Sequence, residues 1–165
     1  MRTLQGTTLT ITGMRATLAT FLAAAAIAPP VIHEPFTALP CPLHPDTTID
    51  VVGCQEHRVL RTDRAIDAQV KAIFGLLRTD GRRSPFAAGE RSWLHFRRQS
   101  CAAEASRFAG GSAHAVALLS CTLQRNTSHL ADLTAMRKAL ARHLRIACRG
   151  TVPACRPTGP SKQAV

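Results

Sequence analysis

The sequence has no tyrosine and a single tryptophan, and aromatic residues make up only 4% of its 165 positions. That scarcity counts against a stacking platform for single-stranded nucleic acid, which needs aromatic faces along a basic groove, and no nucleic-acid partner is expected. Acidic residues are also few, 10 Asp and Glu against 21 Lys and Arg. They form no pair at a spacing that suggests acid/base work. There is no Gly-x-Ser-x-Gly elbow, no Gly-rich phosphate loop and no Cys-x-x-Cys pair, so esterase, nucleotide and dithiol redox chemistry lack their usual signatures. We expect no enzymatic activity, no cofactor and no metal. No segment beyond the first 28 residues is apolar enough to span a bilayer.

What is present begins with a leader. Arg2 and Arg15 flank a polar start, and Ala16 to Ala28 carries no charge and ends in Ala26-Ile27-Ala28. This reads as a cleavable signal peptide over residues 1–28, too short for a membrane span. The expected destination is the periplasm or the exterior. Without Arg2 and Arg15 the formal charge of +11 falls to +9, which favours polyanions such as anionic envelope polymers or lipid head groups.

The mature chain then divides into a proline-rich extended arm (29–45), a helical domain (46–149) and a loose tail (150–165). Asp46 is the expected cap of a first helix. Ile49, Val52, Val59, Ile66, Val70, Ile73 and Leu77 recur at helical spacing along it, with Asp63 on the same face. Ser84-Pro85 has the form of a second helix start, and Phe86, Trp93, Arg97, Cys101 and Phe108 share a face. Gly110-Gly111 ends that run and Ser112 is placed to cap a third helix. The third apolar face continues through Leu123, Leu130, Leu133, Leu140 and Leu144, with Asn126-Thr127-Ser128 as an expected break. The fold class is therefore all-α: a small disulfide-stapled antiparallel bundle of about three long helices. Its core must be mostly aliphatic, because hydrophobic residues reach 45% with so few aromatics.

Six cysteines in a small exported chain imply disulfides. Cys101 lies about seven residues before the glycine turn and Cys121 about nine after it, so at roughly 1.5 Å per residue the two stand at similar heights. An up-down-up order favours Cys41–Cys54, Cys101–Cys121 and Cys148–Cys155. About 15 connectivities are formally open, and an exchange among Cys41, Cys54, Cys101 and Cys121 is the main alternative. Cys41-x-x-His44 and Cys54-x-x-His57 imitate a zinc site, but in an oxidising compartment the disulfide is the better reading. Asp63 and Arg97 each interrupt an apolar face, where a lone charge is costly, and are expected to pair. Lys138, Arg142, Arg145 and Arg149 form a separate basic stripe, either a solvated face near a helix C-terminus or a polyanion-binding surface.

Cys54, Asp63, Trp93-x-x-Phe96-Arg97-x-x-x-Cys101, Gly110-Gly111-Ser112 and Cys121 together resemble the LprI-like family, named for a bacterial lipoprotein lysozyme inhibitor. The resemblance runs from about Cys41 to Leu133. It implies a helical inhibitor-like domain whose partner is a lysozyme or another envelope protein, and it leaves the oligomeric state open. The chain departs from the family pattern in having Ile66-Asp67 for Leu-Asn, Val70 for Tyr, Arg98 for an acidic residue and Glu90 for Gln. Since lysozymes are commonly cationic, a +9 inhibitor would be repelled at long range. Asp46, Asp50 and Glu56 are the sequence's candidates for a local acidic surface that offsets this.

Overall fold

The computed structural model describes residues 27–150. Three α-helices carry the fold: α1 (Thr48–Leu76), α2 (Asp80–Ala105) and α3 (Ala113–Gly150). A single 3-10 turn, Ser106–Phe108, follows α2. No strand occurs among the described residues. α3 packs along both α1 and α2, more extensively along α1.

α1 starts one residue later than the sequence suggests. Thr47, not Asp46, is the N-cap. Its hydroxyl accepts the Asp50 N–H at 3.2 Å, while the Asp50 carboxylate accepts the Thr47 N–H at 3.0 Å. A threonine with an acidic residue three positions on satisfies two orphan donors at once, which a lone aspartate does not. From there Gly53, Glu56, Val59, Asp63, Ile66, Val70 and Ile73 are buried in steps of three and four, one stripe of the helix. Ile49 does not join them and is 68% exposed, since it precedes the first residue that α3 or the arm covers. At the other end Arg83 Nε donates to the carbonyls of Leu77 at 2.6 Å and Phe74 at 3.3 Å. A cation there satisfies late carbonyls and complements the helix dipole.

α2 begins at Asp80, a full turn before the expected Ser84 cap. The Thr79 carbonyl accepts from both Arg82 and Arg83 N–H, which closes the first turn. Pro85 therefore lies inside the helix and forgoes one backbone bond. After Ala105 the chain tightens into the 3-10 turn, and Phe108 swings off the α2 face to 44% exposure. At three residues per turn it can no longer stay in register with Cys101. Gly110 adopts φ +79°, which favours glycine, and reverses the chain. Ser112 directly precedes α3, but its side chain makes no hydrogen bond among the described residues; the His114 N–H goes to the Gly111 carbonyl instead.

α3 runs unbroken through Asn126-Thr127-Ser128, against the expected interruption. Thr127 returns its hydroxyl to the Leu123 carbonyl at 2.8 Å, and Asn126 turns inward, fully buried. The hydrophobic core unites Ile66, Val70 and Ile73 of α1 and its C-cap Leu77 with Leu133 of α3, flanked by Phe86, Trp93, Leu130 and Leu140. As the composition requires, it is largely aliphatic. Disulfides join Cys41 to Cys54 and Cys101 to Cys121, with Cα separations of 4.5 and 5.5 Å. The third expected bridge, Cys148–Cys155, lies outside the described residues.

The arm is ordered against the bundle and runs antiparallel to α1. Leu39 N–H donates to Glu56 Oε2 at 2.7 Å, and Ile32 N–H to Asp67 Oδ1 at 3.1 Å. Along it Ile32, Glu34, Phe36 and Ala38 face inward and the residues between them face solvent. Where the arm crosses α1, a Cβ on Gly53 would collide with the carbonyl oxygens of Leu39 and Pro40. Gly53→Ala is expected to lose about 1–3 kcal/mol, in the range of overpacking substitutions, measured by urea denaturation. Thr47→Ala should lose about 1 kcal/mol of capping. Its pH dependence is distinctive, because hydrogen bonds from Thr47 hold the Asp50 carboxyl below its ordinary value of 3.8. A depressed carboxyl stabilises above its unfolded pKa and loses that contribution as pH falls through its folded pKa. The gap between wild type and Thr47→Ala should therefore narrow in strong acid.

Candidate functional site

The buried charges gather at one point. Arg97, on α2, is 1% exposed and is the largest fully enclosed side chain. Its Nη1 donates to Asp63 Oδ1 on α1 at 2.8 Å and to Asn126 Oδ1 on α3 at 2.7 Å. Its Nη2 donates to Glu34 Oε1 on the arm. Asn126 in turn donates through Nδ2 to Asp63 Oδ1 at 2.8 Å and to the Thr62 hydroxyl at 2.9 Å, and that hydroxyl donates to the Val59 carbonyl. This chain of donors fixes the orientation of the amide. The expected Asp63–Arg97 pair is present, within a larger network.

Burial pushes the Asp63 carboxyl up from its ordinary value, opposed chiefly by the charge and hydrogen bond of Arg97. Nearby Glu34 pushes the same way as burial, since one guanidinium serves two carboxylates. Burial likewise raises Asp67, against the Ile32 N–H that it accepts. Trp93 completes the surroundings: the Arg97 guanidinium lies 5.4 Å from its ring, and the ring stacks on His129 with centroids 3.8 Å apart. His129 Nε2 meets Glu90 Oε2 at 2.8 Å. The arrangement locks three helices and the arm in one register. Of the network's fully buried side-chain polar atoms, Asp63 Oδ2 has no partner.

Other sequence candidates are dispersed. The acidic surface expected at Asp46, Asp50 and Glu56 dissolves, because Glu56 is buried beneath the arm and Asp50 serves the cap. His114 Nδ1 lies 2.9 Å from the Ala105 carbonyl, a contact that ties the start of α3 to the end of α2. With Cys41 and Cys54 joined, their sulfurs are not free thiolates, and no cluster of three His, Cys, Asp or Glu able to hold a metal occurs among the described residues. Lys138, Arg142 and Arg145 do come together. With Arg137, which the stripe had omitted, they rim a groove of about 550 Å³ whose apolar parts are Ala72 and Leu76 of α1 and Ala141. The side chain of Arg149 lies outside the described residues.

Asn126 is the residue that sequence reasoning misplaced. Its signal was positional: it stands seven residues after Leu119 and four before Leu130, on the stripe that carries α3 into the core. Glu34 had no such signal, being one polar residue in an arm.

A family model described as "Lysozyme inhibitor LprI" matches residues 41–133. No curated protein and no solved structure matches the chain. Within the matched span lie Asp63, Trp93, Arg97 and Asn126, whereas Glu34 precedes it. Removing the guanidinium leaves Asp63 and Glu34 buried without their cation, so Arg97→Met should destabilise by about 3–5 kcal/mol in urea denaturation. A carboxyl raised above its unfolded value is relieved as pH falls through its folded pKa. The deficit of Arg97→Met should accordingly shrink as pH falls and Asp63 takes up a proton.

Proposed function

The chain belongs to the LprI lysozyme inhibitor family, and from that membership we propose that it is an exported protein that binds and restrains a lysozyme of the cell envelope. The observation that carries the reading is the match over residues 41–133, the span that contains all three helical contributors to the Arg97 network. Export is supported by the Cys41–Cys54 and Cys101–Cys121 bridges, which persist in oxidising compartments. Among the described residues no helix is long and apolar enough to cross a membrane. A binding role, rather than a catalytic one, fits a site whose charged groups neutralise each other.

A second reading has its own support. The groove rimmed by Arg137, Lys138, Arg142 and Arg145 brings four cations beside an apolar floor, a fit for an anionic envelope polymer or lipid head group. Salt separates the two, since exposed charges are screened beyond a Debye length of about 10 Å at 0.1 M. Lysis of cell-wall substrate by several lysozyme types should slow when the purified oxidised protein is added, and the effect should survive added salt. Failure to slow any of them would overturn the first reading. Capture by an anionic polymer that vanishes with salt and with Arg142→Glu would favour the second.

A further inference from the structure

The segment joining the arm to α1 exposes apolar side chains where a solvated loop would carry polar ones. Leu43 is 94% exposed, and Ile49 and Leu39 follow at 68% and 41%. We infer that this loop, Leu39 to Ile49, is the element that enters the cleft of the partner protein, an inference that rests on the inhibitor reading above.

Three independent features support it. The loop is held at both ends. On one side stand the Cys41–Cys54 bridge, the Leu39–Glu56 hydrogen bond and the close approach of Leu39 and Pro40 to Gly53. On the other stands the reciprocal Thr47–Asp50 cap. Pro40, Pro42 and Pro45 stiffen what lies between. A loop so fixed loses little conformational freedom on docking, and preorganisation of this kind raises affinity without any added contact.

The second feature is shape. Leu43 projects from the bundle, so its complement is concave, and an anchor sunk in a desolvated pocket is where binding energy concentrates.

The third is charge. Among the described residues every Lys and Arg lies at or beyond Arg58, and of the four carboxylates that precede it Glu34 is paired with Arg97 and Glu56 is buried, which leaves Asp46 and Asp50 at the surface. Asp46 is exposed within the loop itself. The loop thus has no Lys or Arg of its own and, with Asp46 and Asp50 at the surface, gives a cationic partner a local attraction despite the net charge. The same carboxylates disfavour an anionic membrane as the occupant. The partner chemistry is a cationic protein with an apolar-walled cleft.

The test uses the full oxidised protein against a cationic c-type lysozyme, reading lysis of cell-wall substrate, Kd by calorimetry, and amide hydrogen exchange of the complex. Leu43→Asp should weaken binding at least about 30-fold, the loss of a hot-spot anchor, with an unchanged melting temperature. Ile146→Asp makes the same change at another exposed apolar position and should leave Kd within about twofold, too small a change for a hot spot. Amides of residues 39–49 should gain protection in the complex. A wild-type protein that inhibits while Leu43→Asp binds equally well, or protection confined to the α3 groove at 137–145, overturns the loop assignment and leaves the inhibitor reading standing. A wild-type protein that neither binds nor inhibits overturns both.

Discussion

The architecture depends on one enclosed guanidinium. Arg97 projects from α2 into the space between the helices, where an unanswered charge would be worth several kcal/mol against folding. Its answers come from every other segment: Asp63 from α1, Asn126 from α3 and Glu34 from the arm. A one-residue slip of any helix would leave a donor or a carboxylate stranded in an aliphatic interior. Apolar side chains alone tolerate such slips better, because leucine and isoleucine are satisfied by many neighbours. The network therefore contributes uniqueness of register more than net stability. The hydrophobic stripes make the bundle compact, and the two bridges limit how far it opens.

The same requirement explains what the sequence disclosed and what it withheld. The Asp63–Arg97 pairing was readable because each charge interrupted a periodic apolar face, so the two needed a common partner. The bridges followed from helix order and distance along the chain. Boundaries were harder. Ser84-Pro85 has the form of a helix start, but Arg83 at the end of α1 and the doubly bonded Thr79 carbonyl draw the helix a turn earlier. That is tertiary capping, invisible in a local window. Asn126 failed for a related reason: its intrinsic preference for caps and turns yielded to three hydrogen-bond partners that exist only once the helices meet. The arm was legible as extended, but not as docked. Its partners are single atoms on α1 and α2 with no periodic trace in its own sequence.

Glu34 gives the arm a structural role that the family span alone would not suggest. Arg97 and Asp63 lie within residues 41–133, yet the second carboxylate on Arg97 comes from outside that span. Two further charged residues also hold the arm. Asp67 accepts the Ile32 N–H, and Arg98 Nη2 donates to the His33 carbonyl at 3.1 Å. Away from the arm, Glu90 meets His129, which stacks on Trp93.

An arm fixed at Asp67, Arg97 and Arg98 has a consequence at its far end. Its backbone is carried along α1 to Cys41, where the bridge to Cys54 and the contact over Gly53 leave the next residues little freedom. The chain must then turn to enter α1 through the Thr47 cap. Between those constraints Leu43 stands 94% exposed. The exposure of Leu43 is thus a product of the same contacts that neutralise Arg97 and seat the arm. Polar packing in the interior and an apolar projection on the surface are two ends of one arrangement. A charge placed at Arg97 fixes the arm, and the fixed arm determines what the protein presents to a partner.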